Sequence, residues 1–297
     1  MSVMWISIVM TVVGAATPLL LAALGELVVE KSGVLNLGVE GMMLIGAVTG
    51  FAVTSVTGTA LLGLVAAMLA AVAASMIFGY LTLTLASNQV ATGLALTIFG
   101  VGLSSMIGEN FVGTTIEPFG TIFPAALAEH PVLRLVFGHS LLVYVSLAMT
   151  VAVAWFLKRT RGGLILRAVG ENDQSAHSIG YSVIGVRYAA VAFGGAMAGL
   201  AGCYYSMVQT PMWAEEITAG RGWIALALVV FAAWNPWRLL LGAYLFGAVM
   251  TFELQAKAAG ISIVPPEFLA AKTTSASAIQ PRPAVISSAH IGVCTIE

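Results

Sequence analysis

Charged side chains are scarce in this chain. Only 8% of its 297 residues are Asp, Glu, Lys or Arg, whereas about 25% is usual in a soluble domain. The hydrophobic fraction is 59%, above the roughly 45–50% of such a domain, and one water-soluble core cannot bury that excess. We therefore expect most of the surface to face lipid. Proteins that bind nucleic acids usually carry a basic patch. The formal net charge here is −1 and no region is basic, so the sequence argues against nucleic-acid binding.

Residues that usually perform catalysis or bind metals are also few. The two cysteines, Cys203 and Cys294, provide neither a disulfide framework nor a metal site, and the four histidines are scattered. No HExxH, GxSxG or paired-aspartate motif is present, so the sequence predicts no catalytic residue, no metal and no cofactor, and disfavours a membrane-embedded enzyme. The P-loop pattern GxxxxGK[ST] is absent too, so if transport here uses ATP, another subunit binds the nucleotide.

Long apolar runs are abundant instead. A helix crosses the hydrocarbon with about 20 residues, and most of the runs reach that length. The run 222–234 is short and ends at "WNPW", where Pro236 cannot continue a helix, so we interpret it as a half-span or a tilted helix. The fold class predicted is all-α, a polytopic membrane helical bundle of about eight transmembrane segments with broken helices. The runs lie at about 4–25, 38–56, 60–85, 89–108, 139–157, 183–208, 222–234 and 237–256.

Two glycine pairs, Gly46–Gly50 and Gly195–Gly199, have the spacing that lets helix backbones approach closely in lipid. Chance is the alternative, because the chain contains 32 glycines.

Basic residues predict the orientation of the helices. The densest basic cluster lies in the loop between two runs, which should therefore be cytoplasmic. Alternation then assigns 26–37, 86–88 and Arg238 to the cytoplasmic side, and the N-terminus, 57–59, 109–138 and 209–221 to the outer side. The cluster comprises Lys158, Arg159, Arg161 and Arg167.

The first polar island is "GELVVEKSGVLNLGVEGMM" at 25–43. Its glycines favour a helix break, and broken helices at membrane depth are tolerated only when they are buried in protein or line a cavity. Such breaks recur at the substrate sites of transporters. We interpret Glu26, Glu30 and Lys31 as part of a solvated cytoplasmic loop. Asn36 and Glu40 are instead candidates for the translocation path, because the stretch 41–108 that follows has no charged residue.

A second polar island, "ASNQVATGLALTIFG" at 86–100, carries hydrogen-bonding groups and no charge. Asn88, Gln89, Thr92 and Thr97 suit a path for a neutral polar solute better than one for an ion. Interhelical hydrogen bonding or helix capping explains them equally well.

The segment 159–188 is a third polar region. It predicts a short helix with a basic N-terminal end, a turn at 170–173 and a second short helix that ends near Gly180. Connections between helices are usually about 2–8 residues long, so a solvated connector is the weaker interpretation. A docking surface for a cytosolic partner fits the length better.

Several stretches resemble permease subunits of bacterial ABC importers, in the branched-chain amino acid, ribose and nucleoside permease group. They include "SGVLNLGVEGMM", "SNQVATGLAL", "GENDQSAHSIG" and "FAAWNPWRLLLGAYLFGA", and the likeness runs from about residue 15 to residue 270. It is strongest to the simple-sugar and nucleoside branch. The resemblance implies a multi-pass protein of the bacterial inner membrane that works by alternating access and leaves ATP hydrolysis to a separate subunit.

The resemblance also implies partners and a coupling loop. The partners are a second permease subunit, which makes a heterodimer, cytosolic ATPase subunits, and an extracytoplasmic solute-binding protein or lipoprotein. The expected solute is a nucleoside or a related neutral sugar-like molecule. Alternatives are a ribose-type sugar or a branched-chain amino acid, or, in another class, a stand-alone secondary transporter or channel. The coupling loop that fits the ATPase aligns with Gly170, Glu171, Asn172, Ala176 and Gly180.

The chain divides into a transmembrane permease domain at 1–270 and a polar tail at 271–297. The tail is rich in Ser, Thr, Ala and Pro and has no apolar run that could span, so we expect it to be disordered. Relatives continue after a "PPEFL"-like segment with one more apolar span, which predicts a non-homologous end here, for instance from a frameshift.

Overall fold

The structure, a computed structural model, describes residues 2–117, 119–120 and 131–258. The tail 271–297 lies outside the described residues, so its proposed disorder and the division at residue 270 stay predictions. The described helices are α1 (Ser2–Lys31), α2 (Val39–Thr57), α3 (Ala60–Gly79), α4 (Gln89–Gly108), α5 (Pro131–Phe137), α6 (Leu141–Arg159), α7 (Arg161–Glu171), α8 (Asp173–Ser178), α9 (Val183–Tyr204), α10 (Arg221–Phe231) and α11 (Pro236–Ala258).

Seven of the described helices are long and apolar enough to cross a membrane: α1, α2, α3, α4, α6, α9 and α11. π-helical turns at Tyr80–Thr84 and Tyr205–Gln209 extend α3 and α9. The remaining apolar run, 222–234, forms the shorter helix α10. The prediction of an all-α polytopic bundle of about eight segments is therefore confirmed.

Contacts divide the chain into one unit at 1–251 and another from 252 onward. The second unit is described only over 252–258, the last turns of α11, where Lys257 Nζ lies 2.6 Å from Glu253 Oε1. Everything that follows concerns the first unit.

Helix α2 lies at the centre of the first unit, between α3, α4 and α9. Close approach of backbones makes this possible: a Cβ built on Gly46 would lie 2.6 Å from Gly199 Cα, and one built on Gly100 would lie 2.5 Å from Gly41 Cα. In lipid, burial of apolar area does not drive helices together, so packing of small residues does. Both predicted glycine pairs lie at such contacts.

The contacts also give the relative directions of these helices. Gly199 of α9 meets Gly46, and further along Cys203 meets Gly50, so α9 runs parallel to α2. Gly195 instead meets Ser75 of α3, and Gly199 meets Ala67, so α3 runs antiparallel to α9. This alternation agrees with helices that cross one after another in opposite directions. The assignment of the cytoplasmic side stays a prediction.

The connection between α1 and α2, residues 32–38, folds back into the bundle; we refer to it as the inner loop. The backbone N–H of Asn36 donates to Glu26 Oε1 at 3.1 Å. Glu26 lies more than one turn before the end of α1, so the loop reaches about 7.5 Å deeper than Lys31. Helix α2 therefore begins inside the protein, as the predicted helix break requires.

Our interpretation of Glu26 as a solvated loop residue is wrong. Helix α1 continues to Lys31, and the Glu26 side chain is 1% exposed within it. One carboxylate oxygen accepts from the inner loop, and the other has no hydrogen-bond partner among the described residues. The loop covers this side chain because the chain reverses direction directly after α1.

Candidate functional site

Asn36 stabilises the turn that starts α2. Its Oδ1 accepts from the backbone N–H of Gly38 at 2.9 Å, the local hydrogen bond that asparagine favours in turns. Its Nδ2 lies 3.8 Å from the sulfur of Met42. Because Asn36 is buried, all these contacts are internal to the chain.

Two side chains of α4 form hydrogen bonds with the backbone of the inner loop. Gln89 Oε1 accepts from the backbone N–H of Leu35 at 2.8 Å, and Thr97 Oγ1 donates to the carbonyl oxygen of Leu37 at 3.0 Å. An irregular backbone at membrane depth needs partners of this kind, because hydrocarbon provides none.

Asn88 and Thr92 lie at the N-terminal end of α4. Asn88 is its N-cap, and its Oδ1 accepts from the backbone N–H groups of Val90 and Ala91 at 2.9 and 3.1 Å. Thr92 Oγ1 lies 2.9 Å from Ser87 Oγ and donates to the carbonyl oxygen of Asn88 at 2.8 Å. The structure thus brings the 86–100 island to the inner loop, with Asn88 exposed and Gln89 half-buried.

Glu40 is the most heavily hydrogen-bonded of the candidates. It is 6% exposed, and its Oε1 accepts from the Thr218 hydroxyl and, at 3.0 Å, from the backbone N–H of Gly220. Its Oε2 accepts from the backbone N–H of Gly222 at 2.5 Å. Glu40 lies in the first turn of α2 and binds the N-terminus of α10, so two helix N-termini stabilise one carboxylate.

The backbone around α10 is shaped for this contact. Gly220 precedes the helix with φ of 79°, a left-handed conformation that glycine adopts without strain. A Cβ on Gly222 would lie 2.7 Å from both Cα and N of Glu40. Glycine at 222 therefore allows α10 to begin directly against α2.

Helix α10 begins in the interior of the bundle and runs to the end of the bundle at which α1 ends. Its 11 residues span about 16 Å, roughly half of a hydrocarbon core of about 30 Å. Just beyond it, the indole N–H of Trp234 donates to the Glu30 carboxylate near the end of α1. The contact between Glu40 and α10 therefore lies about 16 Å from the end of the bundle at which α1 ends, about half the thickness of a hydrocarbon core.

The sequence did not identify Thr218, Gly220 and Gly222 as partners of Glu40, because they lie 178 to 182 residues away along the chain. The available signal was the "TAGRG" stretch before an apolar run too short to span. Glu26 could have been found as the first carboxylate after a long apolar run, since a charge at such a position usually faces a bundle interior.

The segment 159–188 forms the two predicted helices, α7 and α8. The turn differs from the prediction: α7 continues through Gly170 to Glu171, and Asn172 alone connects the helices. Asn172 Oδ1 accepts from the backbone N–H of Ser175 at 2.9 Å, which begins α8 within the same turn. Ala176 is buried, whereas Glu171 and Gly180 are exposed.

This segment contacts the inner loop directly. A Cβ on Gly170 would lie 3.2 Å from the backbone nitrogen of Gly33. Arg187 Nε donates to the carbonyl oxygen of Ser32 at 3.2 Å, and its Nη2 lies 3.4 Å from Asp173 Oδ2. Arg187 therefore connects α8 to the inner loop.

The charged groups of the first unit do not form a metal centre: across the described residues, no three His, Cys, Asp or Glu side chains are placed to hold an ion. The translocation-path candidates instead surround the inner loop and the start of α10, where neutral polar groups meet the carboxylates of Glu26 and Glu40. Such an arrangement positions broken helices and hydrogen-bonds polar molecules.

The comparisons with known proteins agree with one another on a family of transporter permeases. The family model "Branched-chain amino acid transport system / permease component" matches residues 8–270. A putative glucose ABC transporter permease of Haloferax volcanii is 40% identical over 258 residues, covering 85% of this chain and 78% of that protein. A guanosine ABC transporter permease of Bacillus subtilis is 32% identical over 252 residues, covering 80% and 79%. A nucleoside ABC transporter permease of Lactococcus lactis is 30% identical over 195 residues, covering 63% and 62%. No solved structure matches the chain.

Proposed function

Because this chain belongs to the permease family of branched-chain amino acid transport systems, in its sugar and nucleoside branch, we propose that it forms half of the translocation path of an ATP-driven importer. It is a multi-pass integral membrane protein, of the inner membrane in bacteria. The other half is a second permease subunit. ATPase subunits in the cytosol drive alternating access, and an extracytoplasmic protein delivers the solute.

The observation that carries this proposal is that two helices, α10 and α2, begin inside the bundle. Helix α10 begins inside the bundle against Glu40, and the inner loop begins α2 inside as well. Half-helices with irregular backbone between them are the usual setting of solute sites in transporters. A bundle that served only structural purposes would not need two such breaks at one depth.

The solute we propose is neutral and rich in hydroxyl groups, a nucleoside first and a simple sugar second. The polar groups of the 86–100 island carry no charge, and both carboxylate oxygens of Glu40 already accept hydrogen bonds from three donors within the chain. The names of the relatives support both solutes, since two refer to nucleosides and one refers to glucose.

Within the translocation path, we assign Asn88, Gln89 and Thr92 to the side nearest the cytoplasm. The remaining candidates, Asn36, Glu40 and Thr97, stabilise the irregular backbone at the helix breaks.

Replacing Gln89 by Met keeps the side-chain length and removes the acceptor that binds the Leu35 N–H. We expect slower uptake with unchanged assembly. Uptake at the wild-type rate would contradict the assignment.

For coupling, we propose that the ATPase binds α8 and the chain that follows it. This surface includes Ile179, which is 69% exposed although it lies outside the membrane-spanning helices. Gly170, Glu171, Asn172, Ala176 and Gly180 shape the turn beneath it. Movement of α8 would pass through Arg187 to the inner loop.

The coupling surface is tested by co-purification of the ATPase with affinity-tagged permease. We expect Ile179→Asp to abolish co-purification, because a charge would replace an apolar contact. Met212→Asp is the matched control: Met212 is 49% exposed on the predicted outer side, and we expect this variant to retain the ATPase. If the ATPase stays with Ile179→Asp, the docking surface lies elsewhere.

The function itself is tested by uptake into proteoliposomes that contain the assembled transporter. Radiolabelled guanosine, uridine, glucose, ribose and leucine are compared, each against an excess of the unlabelled others. We expect accumulation of a nucleoside or a sugar and none of leucine. Selective accumulation of leucine, or of none of the five, would overturn the proposed solute class.

A further inference from the structure

Arg221, the first residue of α10, carries a charge about 16 Å from the end of the bundle at which α1 ends, a distance of about half a hydrocarbon core. Along a helix, residues four and seven positions apart share a face, and on Arg221's face these are Ala225 and Leu228, both fully buried. The exposed side of α10 instead carries Val230 and Phe231. Arg221 therefore extends toward the interior of the bundle, and yet its own side chain is only half-buried.

The contacts of Arg221 use few of its donors. One guanidinium N–H, on Nη1, donates to the carbonyl oxygen of Ile217 at 2.7 Å. The guanidinium carbon lies 4.4 Å from the ring centroid of Tyr205, whose side chain is 2% exposed. Tyr205 thus supports one face of the guanidinium by a cation–π contact.

No carboxylate of the described residues pairs with Arg221, since their ion pairs are Arg187–Asp173 and Lys257–Glu253. Glu40, the acid at the same helix terminus, directs its oxygens to Thr218, Gly220 and Gly222. An arginine has five N–H donors and no acceptor, so most of its hydrogen-bonding capacity is unused.

A charged side chain at this depth faces a bundle interior or a water-filled cavity, because hydrocarbon would destabilise it strongly. Arg221 lies on the buried face of α10, and its side chain is half-buried. We therefore expect the N–H groups that have no partner among the described residues to face polar space inside the transporter.

We propose that Arg221 is a solute-binding residue of the translocation path. Its guanidinium, held flat against Tyr205, donates hydrogen bonds to acceptor atoms of the solute, namely hydroxyl oxygens of a sugar or ribose and carbonyl oxygens of a base. Tyr205 is a positioning residue, since it acts only through Arg221. This inference rests on the proposed function and adds a residue that recognises the solute.

The test compares uptake kinetics of the complete transporter carrying Arg221→Gln, Arg221→Lys or the control Arg238→Gln. Arg238 is an exposed arginine at the start of α11, so its replacement makes the same chemical change away from the site. A hydrogen bond from a charged donor corresponds to roughly 10- to 100-fold in affinity. We expect Arg221→Gln to raise KM by that factor and to keep the wild-type subunit stoichiometry, whereas Arg238→Gln should keep the wild-type KM and basal ATPase activity.

Arg221→Lys keeps the charge and loses the planar fork, so its KM should lie between those of wild type and Arg221→Gln. If Arg221→Gln assembles poorly, the Lys variant alone decides: a raised KM supports the proposal, and a wild-type KM overturns it. Loss of the second permease subunit from both variants also overturns it, because the guanidinium then binds that subunit. Failure of the wild-type transporter to accumulate any solute instead refutes the proposed function, before any variant is compared.

Discussion

Glu40→Gln removes the charge from the carboxylate on which α10 begins and changes almost no volume. In the native protein this carboxylate accepts three hydrogen bonds, from Thr218, Gly220 and Gly222. The amide of glutamine has one acceptor oxygen and an NH₂ group. Whichever way the amide turns, its NH₂ faces at least one of these donors.

The loss of stability in Glu40→Gln can be estimated from these contacts. A hydrogen bond to a charged group contributes about 1.5–3 kcal/mol, and a buried donor without a partner costs about 1–3 kcal/mol. A charge at a helix N-terminus adds up to about 2 kcal/mol in partly buried geometry. These contributions overlap, so we expect the free energy of unfolding to fall by about 3 kcal/mol.

The assay is unfolding of the purified protein in detergent by titration with SDS, followed by far-ultraviolet circular dichroism. The control is Glu215→Gln, an exposed glutamate in the loop before α10, which should stay within about 0.5 kcal/mol of wild type. If Glu40→Gln also stays within that range, Glu40 does not stabilise the half-helix, and our account of the site is wrong.

Three further substitutions, one of them with a matched control, test the helix contacts and the α4 cap by the same assay. Gly222→Ala should cost about 1–3 kcal/mol, because its Cβ would lie 2.7 Å from the backbone of Glu40; unchanged stability would contradict that contact. Gly46→Ala should destabilise similarly, whereas Gly102→Ala, whose Cβ would meet nothing within 4 Å, should be neutral or stabilising; equal effects would refute the close packing of α2. Asn88→Ala should cost about 1 kcal/mol through loss of the α4 N-cap, and a neutral result would show that this end of α4 needs no cap.

Sequence reasoning predicted the helices well because lipid imposes a simple rule. Each span needs about 20 apolar residues, and such runs are visible without any knowledge of packing. The short run 222–234 was recognised as atypical because proline and tryptophan end it. The structure confirms it as the shorter helix α10, which ends at Phe231.

The partners of the polar residues were not predictable in the same way. Glu40 was identified as a candidate from its position before a long charge-free stretch, but its hydrogen-bond donors lie in a different helix region far along the chain. Glu26 was misjudged because the reversal of the inner loop, which buries it, depends on contacts with Gln89 and Thr97. Local sequence contains no information on such non-local contacts.

The central claim, that this chain conducts solute in an ATP-driven importer, is tested most directly by the nucleotide requirement of transport. Proteoliposomes containing this chain, the second permease subunit and the ATPase subunits are loaded with ATP or with a non-hydrolysable analogue. They are then given radiolabelled guanosine or glucose with the solute-binding protein. We expect accumulation with ATP and none with the analogue or without this chain. Equal accumulation with the analogue would contradict it and indicate a stand-alone transporter or channel.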